Sequence, residues 1–258
     1  MHAQTPARKL DAGTQALGLF GLCLALIAAC GPSLAQPPLY HDFADQHTLL
    51  GIPHALDVLS NLPFLLLGLL GLGRLQRIAE PRWRSLALLL SLGLLGTCLG
   101  SGVYHLAPGD SGLLYDRLGM LVLFAAILGL AAADRLGFAA ARLALGGVLL
   151  GGAASLWAWW ALGNLLPWVV LQAGGMLMLL ALAFCRPLRS GYALRLELCL
   201  ACYVLAKLCE LADVQLFHPS GELLSGHSLK HLFAGLAVLP LLLPLVANGR
   251  AATCRHCR

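Results

Sequence analysis

Three short stretches of this chain carry residue types that hold metals and move protons. Ser101-Gly-Val-Tyr-His105 sets a hydroxyl and an imidazole at i, i+4, Asp116 follows eleven residues after that histidine, and His227-Ser-Leu-Lys-His231 sets two imidazoles at i, i+4. Helix positions four apart share one face, so each pair can point at a common partner. Two imidazoles from one helix and a third from another make a three-nitrogen donor set. Catalytic zinc commonly takes three protein ligands of this kind and leaves a fourth position for water. A metal lowers the pKa of that water to near 7. Asp116 could orient or deprotonate it, and Ser101 could hydrogen-bond a developing oxyanion. Haem fits less well, because His227 and His231 share one face and cannot ligate one iron from opposite sides; His105 with either of them could.

The elements that must position these residues are membrane spans. Of 258 residues, 59% are hydrophobic and only 11% charged, with a mean hydropathy of +0.80. A soluble domain carries roughly twice that charged fraction, and one helical span needs about 20 mostly apolar residues. The chain therefore reads as an all-α integral membrane protein, with spans near 55–73, 84–106, 112–133, 139–160, 163–185, 192–217 and 227–247. These seven form one domain over 36–247, with a tail at 248–258. The net charge of +5 does not point to nucleic acid, because the basic residues sit singly between apolar runs.

Residues 1–35 form a separate segment. A start with Arg8 and Lys9, an apolar run over Leu17–Cys30 and the ending Ser33-Leu34-Ala35 resemble a secretory signal, and Ile27-Ala28-Ala29-Cys30 resembles a lipoprotein processing site. The same residues also read as an uncleaved extra helix. Of nine cysteines, six (Cys23, Cys98, Cys185, Cys199, Cys202 and Cys209) lie in apolar runs, where Cys behaves as a small hydrophobe. Cys254-Arg-His-Cys257 has the spacing of half a metal knuckle, but no second pair follows it, so it reads as a free tail.

Loop charges orient the spans. Twelve of the seventeen basic residues fall in alternate connections: Arg74, Arg77, Arg82 and Arg84; Arg135 and Arg142; Arg186, Arg189 and Arg195; Arg250, Arg255 and Arg258. The opposite loops, near 107–111, 161–162 and 218–226, contain no Lys or Arg. The positive-inside rule then puts the C-terminus in the cytoplasm and residues 36–54 outside it. It also puts the end of the second span and the starts of the third and last on one non-cytoplasmic side, so the five polar residues can converge. Charged groups at membrane depth are costly and usually functional. Lys207, Glu210 and Asp213, at i, i+3 spacing, read as an internal ion-pair cluster ahead of a headgroup site. Asn61 and Asn164 read as cap or helix-contact residues, and His2, His41, His47, His54, His218 and His256, outside the spans, as solvated.

Ser101-x3-His105, Asp116 and His227-x3-His231 together resemble the alkaline ceramidase family, over roughly residues 40–247. Asp57-Val-Leu-Ser60-Asn61-Leu62 resembles the family's first-helix motif. The wider superfamily includes the progestin and adipoQ receptors and the haemolysin III proteins, and the His-to-Asp spacing suits the ceramidase branch better than the receptor branch. The resemblance implies a seven-helix bundle with zinc on His105, His227 and His231, and Ser101 and Asp116 as the supporting catalytic pair. It implies hydrolysis of the amide bond of ceramide or a similar N-acyl lipid, releasing fatty acid. The partners expected are the lipid amide and the membrane, with no obligate protein partner. The alternative is a haemolysin III or adipoQ-receptor type of protein with the same zinc held structurally. Animal ceramidases place calcium in the acidic segment before the first span. Here that segment reads Tyr40-His41-Asp42-Phe43-Ala44-Asp45-Gln46, with His54 where the family commonly has a carboxylate, fewer acids than the calcium pattern. Strict positive-inside loops and a signal-like start suit a bacterial inner membrane, and many bacteria lack ceramide.

Overall fold

Long apolar runs without water nearby must satisfy their backbone groups internally, and a helix does so within one segment. The computed structural model describes residues 11–247; Arg8, Lys9, His2, His256, the 248–258 tail and its cysteine pair lie outside the described residues. Helix α1 covers Ala12–Cys30, with Asp11 as its N-cap accepting from the Thr14 amide, and a short α2 (Ala55–Leu59) leads into α3 (Leu62–Arg74). Then come α4 (Pro81–Leu106), α5 (Asp110–Arg135), α6 (Phe138–Leu162), α7 (Leu166–Ala183), α8 (Leu196–Leu211), α9 (Asp213–Phe217) and α10 (Gly226–Ala247). No strand occurs among the described residues, apart from one isolated bridge between Leu49 and Ile52.

Among the described residues, seven helices are long and apolar enough to cross a bilayer: α1, the α2–α3 stretch Ala55–Arg77, α4, α5, α6, α7 and α10. The chain is a multi-pass membrane protein built as an all-α bundle. One of the two readings of the N-terminal segment, an extra apolar helix, matches the fold, and one expected span is interrupted. Helix α1 is one of the seven, lying against α6 and α7. The 192–217 stretch is not one continuous span. Helix α8 has 16 residues and the chain turns at Ala212 before α9, yet this stretch still runs from the Asp134–Arg135 end of the bundle, where Leu194 is bound, to the start of α10, where Glu210 meets Lys230. The turn frees Asp213 from helix α8 to bind elsewhere, as described below.

Helices α4 and α5 meet backbone to backbone. A Cβ on Gly100 would run into the main chain of Tyr115, and one on Gly119 into that of Gly96; small residues permit such approach in membranes. This contact brings the end of α4, with Ser101 and His105, against the start of α5, with Asp116. At the opposite end of the bundle a buried pair closes the structure. Asp134 accepts from the amides of Tyr192 (2.7 Å), Ala193 (3.0 Å) and Leu194 (3.1 Å) and from Arg135 (2.5 Å). Arg135 also donates to the Leu182 and Leu194 carbonyls. Beside it, Trp83 packs edge-on against Phe138 and Tyr192, so the arginine-bearing connections after α3, α5 and α7 gather at this one end.

The α4–α5 contact generates a test. Gly119→Leu forces the two backbones apart and is expected to cost about 3 kcal/mol, seen as a clearly lowered midpoint of heat-induced aggregation in detergent. Gly102→Leu, where a side chain meets open space, is expected to leave that midpoint almost unchanged.

Candidate metal centre

The first turn of α10 needs partners for its free N–H groups; two side chains accept from them and a third braces the serines of that turn. Ser225 accepts from the Ser228 amide at 2.8 Å, and Asp213 accepts from the His227 amide at 2.8 Å. Asp57, fully buried in α2, accepts from the hydroxyls of Ser225 (2.8 Å) and Ser228 (2.7 Å). The other Asp213 oxygen takes the Ala44 amide at 3.0 Å. Asp213 is thus a tether between α10 and the segment before α2. It is not part of the ion-pair cluster in which the sequence reading put it.

His227 and His231 rise from this turn to meet His105 in the last turn of α4. Ligand-capable atoms of the three rings all lie within 4.8 Å of one another, and all three residues are buried. Ring centroids stand 4.7 Å (His105–His227), 5.1 Å (His105–His231) and 4.8 Å (His227–His231) apart. Rings this close leave no flat slot for a haem macrocycle between them. Among the described residues, this is the one group of three or more His, Cys, Asp or Glu side chains spaced to hold a metal ion.

Hydrogen bonds prepare the triad for a cation. The Ser60 hydroxyl lies 2.9 Å from the Asp57 carbonyl and 2.7 Å from His231 Nδ1. Its single proton goes to the carbonyl, so its oxygen accepts from His231 Nδ1–H. The His231 Nε2 lone pair is left facing the cluster, the usual way a second residue fixes a ligand tautomer. His105 Nδ1 is buried with no hydrogen-bond partner, and buried polar atoms without partners are rare. A cation among the three rings would satisfy such an atom. On His227, Nε2 faces the Lys230 ammonium at 2.8 Å; a metal there must be taken by the other ring nitrogen or must displace the ammonium.

All five residues singled out by spacing come together. Ser101 Oγ is 3.4 Å from His231 Nε2, and Ser101 and Asp116 both line a cavity of about 140 Å³ that reaches His231. Asp116 is half-buried, its open side facing that cavity. Apolar walls of Phe64, Phe124, Ile127 and Trp168 continue it into the bundle.

Sequence reasoning missed three contributors. Ser60 was seen within the first-helix motif but given no role. Lys230 was quoted between the two histidines and passed over. Phe43 was read as part of a calcium segment, yet its ring packs 4.6 Å from both His105 and His227 and covers the triad. In the same segment Asp45 is fully buried and accepts from the amides of His47 and Leu56, fastening the cover over the site. His54 Nδ1 bonds the Asp45 carbonyl and His41 Nδ1 pairs with the Tyr104 hydroxyl, so these two histidines are half-buried rather than solvated. Asn164 accepts from the Leu166 and Leu34 amides, the capping role expected of it. Comparison of the chain with protein-family models, curated proteins and solved structures finds no match in any of the three.

Ser60→Ala removes the acceptor that fixes His231 and is expected to weaken Zn²⁺ affinity about 10–100-fold in chelator competition. Ser85→Ala, at the far end of α4 where the hydroxyl bonds only Pro81 O among the described residues, should leave that affinity unchanged.

Proposed function

We propose that this chain is a membrane-embedded, zinc-dependent hydrolase of the amide bond in ceramide or a similar N-acyl lipid. The observation that carries the reading is the buried triad of His105, His227 and His231 at one end of an apolar cavity that also holds Ser101 and Asp116. An all-imidazole, neutral donor set in a closed pocket favours zinc over the hard, oxygen-seeking calcium and magnesium ions. The sequence resemblance to alkaline ceramidases points the same way.

The chain's own residues divide the work. His105, His227 and His231 would hold the ion, which supplies a water acidified to near neutral pH. Asp116 would take a proton from the attacking water and give it to the departing amine nitrogen, a general base that then acts as acid. The Ser101 hydroxyl donates to the acyl oxygen as negative charge grows on it. The apolar cavity walls take the acyl chain, and Phe43 keeps bulk water off the outer side of the triad.

The site lies at the end of the bundle opposite the arginine-bearing connections. The positive-inside rule then sets the site toward the non-cytoplasmic face and the C-terminus in the cytoplasm, as in a bacterial inner membrane. A fluorescent protein fused after Arg258 should glow, and a periplasmic phosphatase reporter fused there should stay inactive. The opposite result reverses the orientation.

Purified protein is expected to hold close to one zinc per chain, to lose it in His105→Ala or His231→Ala, and to release fatty acid from an N-acyl lipid. Asp116→Asn should keep the metal and lose about 10²–10⁴-fold in rate. Wild type free of bound metal would sink the reading. Stoichiometric zinc without hydrolysis, and with function untouched by Asp116→Asn, would favour the haemolysin III or adipoQ-receptor type of role.

A further inference from the structure

Away from the triad, one neutral polar side chain faces the cavity with nothing to bind. Trp168, Gln172, Met176 and Leu179 of α7 line the cavity, and steps of four, four and three residues put them on one face of the helix. The other face of α7, with Val169, Leu177 and Leu180, is exposed, where lipid would lie. Gln172 therefore stands in the middle of the cavity-facing stripe, with an apolar side chain one turn away on either side. Among the described residues its carboxamide makes no hydrogen bond. The other polar groups away from the triad differ. The Thr97 hydroxyl is taken by the Gly93 carbonyl at 2.8 Å, and Lys207, Glu210 and Lys230 bind one another.

The packing of α7 sets how deep Gln172 lies. A Cβ on Gly175 would run into the Phe124 ring and Leu128 of α5, which fixes the stagger of the two helices. Both helices run inward from the triad end of the bundle. Phe124 is eight residues past Asp116, and Gln172 is one turn before Gly175. The base of the Gln172 side chain is thus about 8 Å further into the bundle than Asp116, level with the apolar walls. On α8, Tyr203 lines the cavity one turn inward of Lys207, and its hydroxyl also makes no hydrogen bond among the described residues.

Chemistry narrows the ligand. A carboxamide offers two N–H donors and one carbonyl acceptor. Leaving them unpaired in an apolar wall is costly, and polar side chains at membrane depth mark functional sites. The rest of the α7 stripe and the facing Phe124 and Leu128 carry no charge, so a charged group here would lack a counter-charge. A hydroxyl, donor and acceptor at once, matches the carboxamide and needs none. With the reactive amide held at the triad, a group that reaches Gln172 lies partway along the acyl chain.

We propose that Gln172 is a specificity-determining residue, which binds a hydroxyl carried partway along the acyl chain and so favours N-acyl lipids with a hydroxylated chain over those with a plain one. This rests on the amide-hydrolase reading only for which end of the lipid faces the triad. A plain chain displaces any water from Gln172 and leaves the carboxamide unpaired, whereas a hydroxylated chain restores the lost hydrogen bond.

Purified full-length protein in lipid nanodiscs is titrated with N-stearoylethanolamine and with its 2-, 6- and 10-hydroxystearoyl counterparts, following tryptophan fluorescence. The 6- or the 10-hydroxy chain is expected to bind roughly tenfold tighter than the plain one. Gln172→Leu should bring that ratio to about one while holding the plain chain at least as tightly as wild type does. The 2-hydroxy chain, whose hydroxyl stays beside the amide, should be indifferent to the substitution. Equal affinities of wild type for plain and mid-chain-hydroxylated lipids, the result if Gln172 holds only water, overturn the proposal. A preference that survives in Gln172→Leu overturns it too. Fatty-acid release by zinc-loaded protein is measured separately. A Gln172-dependent preference in binding without any release supports the hydroxyl site and overturns amide hydrolysis; release from all four lipids alike, with equal affinities, overturns the site and leaves hydrolysis standing.

Discussion

Two carboxylates, Asp57 and Asp213, hold the first turn of α10, and the histidine triad depends on that hold. A helix beginning inside a water-poor region has free N–H groups and a partial positive charge at its start, so carboxylates are well suited to meet it. Asp213 takes the His227 amide and reaches on to Ala44. Asp57 takes the hydroxyls of Ser225 and Ser228 and, through its own carbonyl, sets the Ser60 hydroxyl that orients His231. Helix start, covering segment and ligand orientation are therefore one connected network. Loss of any member would loosen the histidines together.

The two ends of the bundle use buried charge differently. At one end, Asp134 and Arg135 are almost completely enclosed, and their hydrogen bonds go to backbone amides and carbonyls of the 182–194 stretch and to each other. Such a fully engaged pair acts as a clamp. At the other end, Lys207 and Lys230 share a cavity with the carboxylates of Glu210 and Asp116, and this cluster opens onto the cavity instead of being spent on backbone partners. The contrast separates a structural ion pair from a binding site more clearly than burial does.

Much of the fold could be read from the chain. Apolar runs of membrane length, broken by arginine-bearing connections, marked the helices, because a bilayer admits few other solutions. The short α8 and the docked α1 were less legible. Hydropathy counts residues, whereas the end of α8 is decided by Asp213 turning to cap another helix, and α1 by the groove that α6 and α7 offer it. Within the site, Ser101, His105, Asp116, His227 and His231 announced themselves by helical spacing and by topology that brought three segments to one side.

Spacing along the chain determined which side chains could share a face, and loop charge determined which segments could share an end of the bundle. Tertiary structure alone decided that Ser60 orients His231, that Phe43 and Asp45 cover the triad, and that Lys230 faces both His227 and Glu210. Apart from Lys230 with His227, three residues apart on one helix, those pairings join residues far apart in sequence and depend on distances of a few ångströms. Helix packing fixes such distances, above all the glycine contact between α4 and α5 and the carboxylate-held start of α10; no periodicity in the sequence encodes them.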